Sequence, residues 1–185
     1  MNRKNNLTYK LALSGLLIGI ATILGTLSIP ILGAKVSPVQ HFINVISGIT
    51  LGPAFAVGNA FVASLLRNIL GTGSLLAFPG SMIGALLAGL IYKKFKSSLG
   101  AVIGEVIGTG ILGAILAYPV ASLILGKESS LFLYIVPFSS SCIVGAIIAY
   151  MFISVPAIKS VLGVYDEGLN KQVEKIINWK DDIHV

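Results

Sequence analysis

Charge is what this chain mostly lacks. Of its 185 residues, 13 are Lys or Arg and 7 are Asp or Glu, 11% together, where a soluble domain carries about a quarter. With 55% apolar residues and a mean hydropathy of +0.93, the composition is that of a protein dissolved in lipid. Cysteine is nearly absent too. Cys142 stands alone, which excludes an internal disulfide and leaves a small side chain within an apolar run. Of the two histidines, only His41 lies in the apolar region, so a metal site is not expected. Also missing are the phosphate loop G-x-x-x-x-G-K-S/T, H-E-x-x-H, G-x-S-x-G and a close pair of intramembrane carboxylates. No enzyme is expected, no cofactor in this chain, and no means of hydrolysing ATP.

What is present is a series of apolar runs separated by short polar breaks. Between Leu11 and Val155 the acids are Glu105 and Glu128, and the bases are Lys35, Arg67, Lys93, Lys94, Lys96 and Lys127. A hydrocarbon core about 30 Å thick needs roughly 20 helical residues per crossing. The spacing predicts an all-α integral membrane protein of six transmembrane helices. They are Leu7 to Leu32 (ending near Pro30), Pro38 to Leu51, Ala54 to Leu70, a fourth from the "GTGSLLAFPG" break to Tyr92, Leu99 to Leu125, and Leu131 to Val155. The first run is too long for a signal h-region and reads as a retained helix. The second is short, about 21 Å for 14 residues, and must be tilted, re-entrant or buried in protein. Residues 1–155 thus form the membrane domain and 156–185 a polar tail, in which Leu169, Val173 and Ile176 keep a helical spacing suited to a solvated or an interfacial helix.

Basic residues gather at Arg3, Lys4 and Lys10, at Lys93, Lys94 and Lys96, and in the tail. Six crossings put all three groups on one side, and the positive-inside rule makes that side, with both termini, cytoplasmic. The net charge of +6 therefore serves orientation and anionic lipid, and no nucleic-acid partner is expected. Small residues recur every four positions: Gly15 and Gly19; Ala56, Ala60 and Ser64; Gly80, Gly84 and Ala88; Gly100, Gly104 and Gly108; Ser141, Gly145 and Ala149. In lipid such ladders let helix backbones pack closely.

Polar side chains within the helices are the functional candidates, since each is costly unless it faces protein or water. Gln40, Asn44 and Ser47 form one inward stripe with His41 beside it, and Asn59, Ala63 and Arg67 a second, with Asn68 adjacent. Thr72 and Ser74 follow in an outer loop, Glu105 and Thr109 share a face nearer the cytoplasmic half, and Ser139 to Ser141 interrupt the last helix. Arg67 has two readings: a side chain snorkelling to outer headgroups, or part of a polar rim with Asn68 and the Gly-Thr-Gly loop, hydrogen-bonding the loops that gate a pocket. An Arg67–Glu105 pair is disfavoured by a difference in depth of roughly two or more turns. A polar cluster without an engine suggests capture of a small solute, with energy supplied by other chains. A self-sufficient carrier or channel, and a membrane enzyme using Arg67 and Glu105, are the competing readings.

The stretches "VSPVQHFINVISGITLGP", "SLLRNILGTGSLLAFPGSMIGALLAGL" and "GEVIGTGILGAILAYPVA" resemble the thiazole-specific substrate-binding (S) components of energy-coupling factor (ECF) transporters, the ThiW type, over about residues 10–155. The resemblance implies a six-helix bundle in the cell membrane with both termini inside and hydroxyethylthiazole, a thiamine precursor, as cargo. It implies as partners a transmembrane coupling subunit (EcfT-like) and two ATPases that use the ATP. It also implies that a small-residue face on helix 1, here Ala12, Gly15 and Gly19, docks on the coupling subunit. A thiazole needs an aromatic wall and a few hydrogen-bonding groups. Phe78, Tyr118 and Phe42 are candidates for the wall. Gln40, His41, Asn44, Arg67, Asn68, Thr72 and Ser140 are candidates for the polar contacts, and Glu105 with Thr109 for the inner end.

Overall fold

The computed structural model describes residues 6–27, 29–31, 34–126 and 134–164. Its helices are α1 (Leu7–Leu24), α2 (Pro38–Leu51), α3 (Pro53–Ile69), α4 (Ala77–Phe95), α5 (Ser98–Ile124), α6 (Ile135–Ser154) and a short α7 (Pro156–Leu162). Three of them, α1, α5 and α6, are long and apolar enough on their own to cross a membrane.

Helix 1 is shorter than its apolar run. It stops at Leu24 rather than near Pro30: the next amides turn to partners three residues back, Thr26 to Ile23 O at 3.4 Å and Leu27 to Leu24 O at 3.0 Å, and the Thr26 hydroxyl caps Ile23 O at 2.7 Å. The run continues as an antiparallel ladder of β1 (Ile29–Ile31) and β2 (Ala34–Val36), in which Ile29 faces Val36. The expectation that helix 1 runs on to about Leu32 is corrected at this ladder, and the all-α class stands. Hydrophobicity marks burial in lipid or protein but does not distinguish a strand from a helix over so few residues. The expected start of the last helix at Leu131 falls partly outside the described residues; α6 begins at Ile135. The tail positions Leu169, Val173 and Ile176 also lie outside them.

Burial, not span length, explains the short second helix. Eleven residues of α2 are buried, from Pro38 to Leu51, and it packs against α1, α3, α4, α5 and α6. Its polar residues are therefore screened from lipid by protein on every side. The break to α3 is made by Gly52, whose φ of +86° is accessible to glycine, followed by Pro53 at the helix start.

Helices α3 to α6 pack through their ladders. Ala56, Ala60 and Ser64, then Gly80, Gly84 and Ala88, then Gly104 and Gly108, then Ser141, Gly145 and Ala149 are all buried. A Cβ at Gly48 would stand 2.8 Å from Gly89 N, and one at Gly145 would overlap Pro38 O. On α1 the pattern points elsewhere. Ala12 and Gly15 are exposed, and nothing lies within 4 Å of a Cβ built on Gly15 or Gly19.

Helix α5 is continuous but not uniform. It winds as an α-helix over Ser98–Ile107 and Ala114–Pro119 and in wider π-type turns over Gly108–Gly113 and Val120–Ile124. The second wide turn follows Pro119, which cannot donate an amide hydrogen bond. The first lies beside the polar cluster described below, a common setting for such turns.

Tyr92 of α4, Ala101 of α5 and Ile153 of α6 share one apolar cluster with Leu17. The helix ends near it carry Lys93, Lys94 and Lys96, while Lys10 at the start of α1 lies 5.5 Å over the Phe55 ring at the start of α3. Lys10, Lys93, Lys94 and Lys96 therefore collect at one end of the bundle, and the hairpin, which carries Lys35, the α3–α4 turn and the start of α6 lie at the other. Packing at the α2–α4 crossing gives a direct check. Gly48→Ala should destabilise the protein by about 1–3 kcal/mol in detergent thermal unfolding, whereas Gly58→Ala, with nothing within 4 Å of its Cβ, should be neutral or stabilising.

Candidate functional site: a polar cavity at the lysine-poor end

The first turn of α2 enters the bundle beneath the hairpin, capped by cross-connections. Ser37 Oγ donates to Gly25 O at 2.8 Å, and the Ser37 amide donates to Ser141 Oγ at 3.0 Å. These contacts tie the end of α1 and the start of α6 to α2. Consecutive residues of α2 then engage opposite neighbours.

Gln40 turns toward α3. Its Nε2 donates to Ser64 Oγ at 3.0 Å, which fixes the amide so that Oε1 accepts from Nη1 of Arg67. Farther along, Asn59 Nδ2 donates to Ser47 Oγ at 3.2 Å. The two inward stripes read from the sequence therefore face each other across the α2–α3 contact. Arg67 is 8% exposed and does not snorkel. Its side chain reaches α2, while its backbone carbonyl accepts from the Thr72 and Gly73 amides at 2.9 Å and so shapes the α3–α4 turn.

His41 and Asn44 turn toward α5, where Glu105 is fully buried. Three donors converge on Glu105 Oε1: His41 Nδ1 at 2.9 Å, Asn44 Nδ2 at 3.0 Å and Thr109 Oγ1 at 2.9 Å. With Nδ1–H given to the carboxylate, a neutral His41 keeps Nε2 as an acceptor, a tautomer assigned from these partners. Asn44 also donates to Ser81 O at 3.1 Å, and Thr109 is within 3.1 Å of Gly80 O, so α4 joins the same knot. A Cβ at Gly84 would overlap both Thr109 Oγ1 and Glu105 Oε2, so only glycine admits the carboxylate here. The expected separation in depth between Arg67 and Glu105 is corrected. Both are held by adjacent residues of one α2 turn, and they are not paired with each other.

Above this floor is a cavity of about 570 Å³, within the usual range for small-molecule sites of about 300–1,000 Å³. Gln40, His41, Arg67, Thr72 and Thr109 line it, as do Ser37, Ser81, Phe138 and Ser141. It lies at the lysine-poor end. Asn44 and Glu105 sit beneath the wall and position its residues. Asn68 stands outside the lining: its Nδ2 donates to Ser64 O at 2.8 Å and Ser74 O at 3.2 Å, bracing the α3–α4 turn.

The expected aromatic wall is placed differently. Phe78 packs on Phe61, with centroids 5.6 Å apart, and Phe42 on Phe152, at 5.4 Å. Tyr118 and Ser140 are also absent from the lining, and Ser140 Oγ donates to Val136 O within its own helix. The aromatic ring that does line the cavity is Phe138. Adjacent residues on a helix point about 100° apart, so Ser140 turns away from the cavity that its neighbour Ser141 lines. Ser141 shares its buried face with Gly145 and Ala149.

The comparisons decide the family. Residues 11–158 match the family model "Thiamine-precursor transporter protein (ThiW)". The chain belongs to the ThiW family. It is accordingly a multi-pass membrane protein of a transporter family for thiamine precursors. No curated protein and no solved structure matches it. Among its described residues, no group of three His, Cys, Asp or Glu side chains could hold a metal ion. Cys142 is buried, with Sγ 3.3 Å from Ser139 O.

The floor of the ThiW cavity is structural as well as chemical. Glu105→Ala would leave His41, Asn44 and Thr109 without their common acceptor and should lower stability by about 3 kcal/mol. Thermal unfolding of the purified variant measures it.

Proposed function

We propose that this ThiW-family chain is the substrate-capture (S) subunit of an ECF-type importer, which takes hydroxyethylthiazole from outside the cell. The reading rests on six crossings with both termini in the cytoplasm, the arrangement favoured by lysines at one end of the bundle. The observation that carries it is the cavity at the opposite, outward end, lined by Gln40, His41, Arg67, Thr72 and Thr109. The thiazole ring stacks against Phe138, and its hydroxyl donates to Nε2 of His41, whose orientation Glu105 fixes. Asn44 holds Glu105 and Ser81 in place, and Asn68 holds the rim.

No phosphate loop occurs in the sequence, so ATP is hydrolysed by two partner ATPases joined through a transmembrane coupling subunit. Ala12, Gly15 and Gly19 form the docking face for that subunit. The other ladders are buried inside the bundle, while this one is open, as close packing against a second membrane protein requires.

Calorimetry with the purified chain tests capture. Hydroxyethylthiazole should bind, and His41→Ala should weaken it about tenfold, the value of one hydrogen bond in a dry site. Unchanged affinity in that variant removes His41 from the site. Gly19→Leu should bind cargo normally yet fail to co-purify with the coupling subunit, and uptake into liposomes by this chain alone would refute the division of labour.

A further inference from the structure

The capture reading leaves one charge unexplained. Arg67 is 8% exposed and lines the cavity, yet its guanidinium makes a single hydrogen bond among the described residues, to the neutral Oε1 of Gln40. Its Nε is buried and meets no acceptor, beside Gly25. Glu105 is the one carboxylate among the described residues, and its hydrogen bonds go to His41, Asn44 and Thr109. A buried cation with most of its donors free is costly until an anion meets it. A neutral heterocyclic alcohol supplies none.

Resting on the capture reading, we propose that Arg67 is the anion-recognition residue of this cavity and that its ligand is a phosphate group. Five N–H donors in a planar fork suit phosphate oxygens. Gly25 covers Nε, while Gln40, itself fixed by Ser64, holds Nη1 and leaves the other terminal N–H donors for the ligand. Ser141 Oγ, which accepts from the Ser37 amide, has its own proton to offer from the facing wall of the cavity. An alcohol cargo acquires such a group by esterification of its hydroxyl, which gives up the hydrogen bond to His41 for the stronger charge-assisted pairing with Arg67, so the substrate class is the phosphate monoester of the thiazole alcohol. In a membrane the same chemistry is also available from a phospholipid headgroup.

The test titrates purified wild type, Arg67→Gln and Arg67→Lys with hydroxyethylthiazole and with its phosphate ester in a phosphate-free detergent. The ester should bind wild type at least about tenfold more tightly than the alcohol. Arg67→Gln should bring the ester-to-alcohol affinity ratio down to about one, and Arg67→Lys should keep part of the advantage. Equal binding of ester and alcohol by wild type, or an ester advantage that survives Arg67→Gln, overturns the anion site without touching capture. Binding of neither compound overturns both readings, unless native mass spectrometry finds a phospholipid that co-purifies with wild type and is lost in Arg67→Gln. That result supports the anion site and assigns its phosphate to lipid. Inorganic phosphate gives a check that needs no variant. It should raise the melting temperature of wild type above that in chloride at equal ionic strength, and no difference counts against the site.

Discussion

The structure depends on the burial of Glu105. A carboxylate taken out of water must be met by hydrogen-bond donors, and in a lipid-embedded bundle those donors can come from protein alone. Here they come from two residues of α2 and one of α5, and two of them also reach the backbone of α4. Three helices are thereby fixed at one depth. The cavity lies beside that knot: His41 and Thr109 are committed to Oε1 of the carboxylate, while Arg67, held by the neighbouring Gln40, keeps unfilled donors.

The knot also explains why α2 is so short. A helix surrounded by protein need not span the hydrocarbon by itself, and it can carry glutamine, histidine and asparagine within two turns. Gly52, with its positive φ, turns the chain directly into α3, which brings Asn59 and Arg67 back along the α2 stripe. Sequence-local neighbours thus form one wall of the cavity, and α4 to α6 close it from the other side.

Much of this was legible in the residues. Charge scarcity identified the solvent, Pro38 and Pro53 marked the starts of α2 and α3, and the stripes through Gln40 and Arg67 pointed inward as found. Other features were not legible. The hairpin at Ile29–Val36 is as apolar as the helix before it, so hydropathy could not separate the two. Phe78 and Phe138 are both phenylalanines near helix starts, and only packing shows that the first meets Phe61 while the second meets the cavity. Depth was misjudged for Glu105 because residue counts place backbones, whereas the long Arg67 side chain reaches the α2 turn that also holds the carboxylate; the uneven winding of α5 begins only beyond Glu105, at Gly108.

That uneven winding has a consequence for how two neighbouring helices mesh. On α4 the small residues facing α5 advance by four, from Gly80 to Gly84. Their counterparts on α5 are Gly113 and Gly108, five apart, with Gly104 four beyond, next to Leu87. A strictly α-helical α5 would rotate one of these glycines off the seam and put a larger side chain against backbone. The wide turn at Gly108–Gly113 absorbs the supernumerary residue, acting as a vernier that returns the two rows to step.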